Sequence, residues 1–218
     1  MRSARRGDLR PATPAEAPDG ARGQCGEAKP AERALAIEAP ESNTNEPLQA
    51  AVGVRLDTPR LRLRPHSVED FEALATLWAD PAVTRFIGGR PATREESWGR
   101  LLRYAGLWRL LGFGYWAVED RETGAYLGDV GFADFHRPLD PAPPALPEMG
   151  WVLSPAVHGK GLATEAAAAA LAWLGRDCFC MIDPAHAGSL RVAAKLGFVQ
   201  VGVPRYRDGV TTLLIRRH

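Results

Sequence analysis

The chain has 218 residues, a formal net charge of +1 and 45% hydrophobic residues, which suits one soluble domain of ordinary size carrying an appendage. Near-neutral charge makes no electrostatic case for nucleic acid or an anionic membrane, and no stretch reaches the roughly 18 consecutive apolar residues of a membrane span. Three cysteines without zinc-type spacing and five histidines (His66, His136, His158, His186, His218) without i, i+4 pairing point away from a disulfide framework and a metal site, so a reducing cytoplasm is the expected setting. Residues 1–53 are rich in Ala, Pro, Glu, Arg and Gly and contain no aromatic; the first in the chain is Phe71. Such a segment cannot bury enough surface to offset its ordering entropy, so a disordered extension is expected, with the folded domain at 54–218. The basic start "MRSARRG" has no apolar run after it, and acids arrive at Asp8 and Glu16, which speaks against a secretory or transit signal. Alternatively, translation starts near Val52 or Val54.

From Arg55 the pattern changes. "RLRLR" (Arg60–Arg64) alternates apolar and basic residues as a half-solvated strand does, which predicts Arg60, Arg62 and Arg64 on a solvated face. Glu69–Ala79 carries Phe71, Leu74, Leu77 and Trp78 at helical spacing. A loop follows to Thr93, and Glu96 three residues later predicts a capping box for a helix through Trp98, Leu101, Leu102, Leu107 and Leu111. "GYWAVED" and "AYLGDVGFADF" read as two strands joined by a hairpin turn at Arg121–Gly124. After the proline-rich "RPLDPAPPALP" comes the strand "EMGWVLS", stopped by Pro155. Then follow a glycine loop, the helix Leu162–Leu174, the strand "CFCMID", the helix Gly188–Leu196 and the strands "FVQVGV" and "VTTLLIR". Asp208-Gly209 signals a tight turn between the last two. The order β-αα-βββ-α-β-α-ββ is mixed α/β, of the α+β type, with an antiparallel majority. Cys178 and Cys180 share one face of a strand and read as small core residues; Trp116 and Trp151, on strands, read as core side chains rather than cofactor contacts.

"VHGKGLATEA" (Val157–Ala166) is built for phosphate. Glycines allow close backbone approach and positive φ, and the following helix offers unpaired N–H groups and its dipole, worth about 0.3–2 kcal/mol per charge. A nucleotide P-loop is excluded, because Gly161 follows Lys160 where Ser or Thr is needed and Ser154 stands where the first glycine belongs. A dinucleotide fingerprint has Asp183 at a suitable distance, yet it lacks its third glycine and a βαβ setting. "AVHGKG" (Ala156–Gly161) instead resembles the Q/R-x-x-G-x-G/A acetyl-CoA loop of the GNAT superfamily of N-acetyltransferases. "DTPRLRLRP" (Asp57–Pro65) is similar to the opening strand of its ribosomal-protein acetyltransferase (RimJ/RimL-like) branch. "EMGWVLSPAVHGKGLATEA" (Glu148–Ala166) resembles the fourth strand, loop and helix, and "IDPAHAGSLRVAAKLGF" (Ile182–Phe198) the fifth strand and next helix.

The resemblance implies a GNAT-like mixed, mainly antiparallel sheet with flanking helices, acetyl-CoA as co-substrate and no metal. It implies transfer of acetyl to a primary amine, either a protein N-terminal α-amine or a small-molecule amine, by a monomer or homodimer. A CoA-binding protein without turnover is the alternative, since two positions depart from the common pattern: His186 replaces the usual Asn and Ala193 the usual Tyr. Ala156 also stands where Arg or Gln is usual. Pantetheine is expected between the fourth and fifth strands, against Trp151, Val152 and Leu153, and the pyrophosphate against His158, Gly159, Lys160, Gly161, Leu162, Ala163 and Thr164. His186 either replaces the Asn contact or caps a helix. Glu148 is the candidate general base, or else a solvated strand-edge carboxylate. Ser189 is the candidate donor of a proton to the thiolate, or else a helix cap. Arg90, Arg94, Arg205 and Arg207, on loops expected to line the acceptor groove, argue against polycationic acceptors.

Overall fold

The computed structural model describes residues 54–218; the expectations for residues 1–53 lie outside them. In chain order the elements are β1 (Leu56–Asp57), β2 (Leu61–Pro65), α1 (Phe71–Ala79), α2 (Pro81–Thr84), α3 (Arg94–Leu111), β3 (Tyr115–Asp120), β4 (Tyr126–Ala133) and β5 (Leu139–Asp140). They continue with β6 (Glu148–Leu153), α4 (Leu162–Leu174), β7 (Cys178–Ile182), α5 (Ala187–Lys195), β8 (Val199–Gly202), β9 (Arg205–Tyr206), β10 (Gly209–Val210) and β11 (Thr212–Arg216). The main sheet has the order β1-β2-β3-β4-β6-β7-β11-β8, and every pairing in it is antiparallel except β6 with β7. This is the mixed α/β, mainly antiparallel architecture that the element order predicted.

The β6–β7 junction positions the site. The whole of β6 registers with β4, from Glu148↔Ala133 to Leu153↔Gly128, and β7 registers with β11 from Cys178↔Arg216 to Ile182↔Thr212. Between them only Glu148↔Phe179 pairs, supported by Phe179 N donating to Pro147 O at 3.0 Å. Beyond that pair the strands separate, so each leaves backbone N–H and C=O groups facing a gap instead of a ladder.

Helices hold the two faces of the sheet. The alanines that α4 turns inward (Ala166, Ala167, Ala170) are fully buried, so the helix sits close to the strands beside Leu61, Leu63, Val118 and Val130. A second core cluster packs α1 and α3 against Tyr115 and Ala133. The capping box of α3 forms as expected: Thr93 Oγ1 accepts from Glu96 N, and Glu96 Oε2 accepts from Thr93 N at 2.8 Å. Its buried stripe, however, runs through Ser97, Leu101, Tyr104, Leu107 and Trp108, while Trp98, Leu102 and Leu111 are exposed. The helix is the one expected; packing of Leu101, Tyr104 and Leu107 with α1 and Tyr115 sets its buried face.

The alternation of β2 is as expected, with Leu61 and Leu63 buried, Arg60 exposed and Arg62 and Arg64 half-buried; the last two are also ion-paired, Arg64 with Asp70 through two bonds of 2.6 and 2.7 Å and with Glu119, and Arg62 with Asp57. Two features lie outside the expectation. The proline-rich excursion contains β5, which joins a small second sheet of order β10-β9-β5. The β9–β10 turn uses Arg207-Asp208 as its two central residues, because Gly209 pairs opposite Tyr206; Arg207 takes φ +53.

Candidate active site

The chain leaves β6 through Pro155 and a short 3-10 turn to Val157, after which His158 Nε2 lies 2.9 Å from Leu153 O. Gly159 and Gly161 both take positive φ (+77 and +78), a region that costs a residue with Cβ about 1–2 kcal/mol. Gly161 is the N-cap of α4 and supplies no side-chain cap, so the first amides of the helix are left for another acceptor. A cavity of about 300 Å³ lies against them. Its wall takes in Trp151, Val152 and Leu153 from β6 and His158, Gly159, Gly161, Leu162, Ala163 and Thr164 from the loop and helix. Across from these, α5 contributes Gly188, Ser189, Arg191 and Lys195.

Of the loop residues expected there, Lys160 alone is absent from the wall. Its carbonyl instead accepts from Arg60 Nη1 at 2.9 Å, and Arg60 also pairs with Glu165 at 2.6 Å. Glu165 further accepts from Thr58 Oγ1 and Arg60 N, so the segment before β2 braces the loop from outside. This pairing spans 105 residues of sequence, and no local pattern signals it. Arg191 and Lys195, one helical turn apart on α5, bring positive charge to the same wall and were also not anticipated.

A second cavity of about 630 Å³ adjoins the first, and the two share Ile87, Trp151, Val152, His186 and Ser189. Trp151 lines both cavities and also packs against the main core, its ring 6.4 Å from that of buried Phe198, while Trp116 is fully buried as expected. His186 precedes α5 but makes no side-chain cap; its ring stacks on Phe86 with centroids 4.4 Å apart, and burial pushes its pKa down. Ser189 lies inside α5 and not at its cap, on the seam between the cavities.

Glu148 belongs to the second cavity and is 7% exposed, so it is not a solvated strand-edge carboxylate. Burial pushes its pKa up, the Arg137 guanidinium opposes this, and the net direction is upward. Arg137 Nε donates to Glu148 Oε2 at 2.6 Å and Arg137 Nη1 to Tyr206 Oη at 2.7 Å. Glu148 Oε1 accepts from no side chain or backbone donor among the described residues. Beside it Tyr115 stacks on Tyr104 (4.5 Å), and a Cβ added at Gly150 would fall 2.2 Å from Tyr115 Oη, so a side chain there would displace the Tyr115 hydroxyl. Behind the wall, buried Asp129 accepts from Trp78 Nε1 (3.0 Å) and Tyr126 Oη and bonds His66 Nε2 (2.8 Å).

The arginines expected to line this cavity are mostly elsewhere: Arg90 pairs with Glu96 and Arg94 with Glu72, and only Arg207 of the four is in the wall. Arg100, Arg103 and Arg137 are there instead. Burial pushes the Cys178 thiol up to about 12 and Cys180 higher still, which removes both as thiolate nucleophiles and agrees with their core reading. Among the described residues no three His, Cys, Asp or Glu side chains gather as metal ligands, and no helix is long and apolar enough to cross a membrane.

The family model of the acetyltransferase (GNAT) domain matches residues 60–199. The chain is similar to the uncharacterised protein YkkB of Bacillus subtilis (strain 168), 30% identical over 154 residues that cover 66% of this chain and 84% of that one. A solved acetyltransferase from Agrobacterium tumefaciens str. C58 superimposes with a TM-score of 0.64 at 26% identity, covering 76% of this chain and 95% of its own. The same fold recurs at 14% identity in RimL, a ribosomal-protein α-N acetyltransferase solved with coenzyme A; the TM-score is 0.62, over 75% of this chain and 98% of that one.

Proposed function

The chain belongs to the GNAT acetyltransferase family, and from that premise we propose that it transfers acetyl from acetyl-CoA to a primary amine by direct attack in a ternary complex. The observation that carries this reading is the opening of β6 from β7 beyond a single residue pair, with one cavity on the glycine loop, a second beside Glu148, and both meeting at Trp151, Val152, His186 and Ser189.

In this reading the amides at the start of α4 and the loop backbone hold the pyrophosphate, with Arg191 and Lys195 adding charge at the rim. The unpaired edge of β6 at Trp151–Leu153 holds pantetheine and supplies an N–H to the oxyanion. The acceptor amine occupies the second cavity. Its nitrogen forms the new bond to the acetyl carbon and loses a proton through water to Glu148, whose Oε1 has no protein donor among the described residues. The carbon–sulfur bond breaks and Ser189 protonates the thiolate. A raised Glu148 pKa suits a base that must take a proton near neutral pH. Uncapped and stacked on Phe86, His186 turns to the seam, where it replaces the usual Asn contact.

An α-amine of pKa about 8 is roughly 10% neutral at pH 7 and a lysine under about 0.1%, which favours α-amines over lysine side chains. The motifs at Asp57–Pro65 and Ile182–Phe198 favour the RimJ/RimL-like branch, and the absence of a sufficiently apolar helix among the described residues accords with a cytoplasmic setting. Thiol release from acetyl-CoA, measured across a panel of amines and peptides, is expected with at least one acceptor. Binding of acetyl-CoA with no release from any of them would overturn the catalytic reading in favour of a CoA-binding protein.

A further inference from the structure

We infer that the acceptor is a small amine carrying a carboxylate, which Arg100 and Arg103 hold on the part of the second cavity not shared with the first. The inference rests on the acetyl-transfer reading above. The two arginines lie three residues apart on one face of α3, and both line the cavity. The Arg100 guanidinium carbon lies over the Trp78 ring, 3.3 Å from its centroid, and Arg100 Nε is buried without a hydrogen-bond partner. Arg103 stands over Phe135 at 5.6 Å. Neither forms an ion pair among the described residues, whereas Arg60, Arg62, Arg64, Arg90, Arg94 and Arg137 each hold a carboxylate.

The charges of this wall do not balance. Four guanidiniums (Arg100, Arg103, Arg137, Arg207) face two carboxylates, Glu148 and Asp183. Glu148 is engaged by Arg137, and Asp183 Oδ1 by Ala185 N at 2.7 Å. Asp129, behind Trp78, is already bonded to His66, Trp78 and Tyr126. An orphaned buried Nε makes the Arg100 charge costly to leave uncompensated, and the terminal nitrogens of a guanidinium are a planar fork for a carboxylate. The neighbouring rings of Tyr104, Tyr115, Phe135 and Tyr206 offer an apolar surface to the rest of the molecule, and the volume suits an acceptor of amino-acid to short-peptide size.

The test compares matched acceptors: phenylalanine with its amide, and the dipeptide phenylalanyl-glycine with its C-terminal amide. Coenzyme A release is followed for the native chain and for Arg100→Gln and Arg103→Gln. The native enzyme is expected to prefer the carboxylate member of at least one pair by about 10- to 100-fold in kcat/KM, the range of a charge-assisted hydrogen bond. Each substitution should pull that ratio toward one, with the acetyl-CoA affinity from a separate titration showing that the fold is intact. Equal or greater use of the amides overturns the inference and leaves acetyl transfer standing, as does a ratio that survives both substitutions. Acetyl-CoA binding without release from any acceptor overturns both.

Discussion

Burial and the Arg137 guanidinium pull the Glu148 carboxyl in opposite directions, and burial prevails, so its pKa lies above the ordinary glutamate value. A general base works when ionised, so kcat/KM falls as pH drops through that pKa. Arg137 favours the charged form; Arg137→Gln therefore raises the Glu148 pKa further, and the acid limb of the pH–rate profile moves to higher pH. Glu148→Gln should lower kcat about 100-fold or more. An acid limb that stays in place with Arg137→Gln, together with near-normal turnover of Glu148→Gln, would remove Glu148 from the mechanism. For Ser189 the expected signature is different: Ser189→Ala lowers kcat about 100-fold, with a smaller rise in the KM for acetyl-CoA. The reverse split would make Ser189 a binding residue only. Glu148 and Ser189 were both legible as candidates from motif position. That Glu148 is buried and held by Arg137 was not, because the partner lies on the excursion after β4.

At the scale of elements, the loop before α4 depends on backbone conformation more than on side chains. Gly161 is both left-handed and the helix N-cap, so Gly161→Ala strains the turn by about 1–2 kcal/mol and turns the amides away from their ligand. Titration with acetyl-CoA should show roughly tenfold weaker binding. Unchanged affinity would mean that the loop does not hold the donor. The boundaries of α4 and the capping box of α3 could be read locally, since periodicity and caps are properties of neighbouring residues. The buried face of α3 could not: Trp98 is apolar yet exposed, its ring against Phe71 at 5.2 Å, because the helix turns Tyr104 and Trp108 inward.

For the whole molecule, the Arg64–Asp70 pair ties β2 to the start of α1. Burial pushes the Asp70 pKa up, but Arg64 and the Ser67 N–H outweigh it and leave it below the ordinary 3.8. A carboxyl with a lowered folded pKa contributes stability above its unfolded value and loses it as pH falls through the folded value. Glu148, whose pKa is raised, has the opposite sign: its contribution is present below its unfolded value and is lost as pH rises through the folded one. Asp70→Asn should cost about 2–4 kcal/mol at neutral pH in denaturant unfolding and make stability less sensitive to acid below pH about 4. An unaltered acid profile would show that the pair does not link protonation to folding. The main order of strands and helices, the glycine loop before α4 and the family were legible in the sequence itself, because alternation, helical period, turn glycines and motif spacing act over a few residues. Only the tertiary structure decided which guanidiniums face the cleft, which carboxylates they neutralise, and that Trp151 lines the seam while Arg90 and Arg94 turn away. Those outcomes depend on charge and shape brought together across tens of residues by the opening of β6 from β7, and no local pattern encodes that distance.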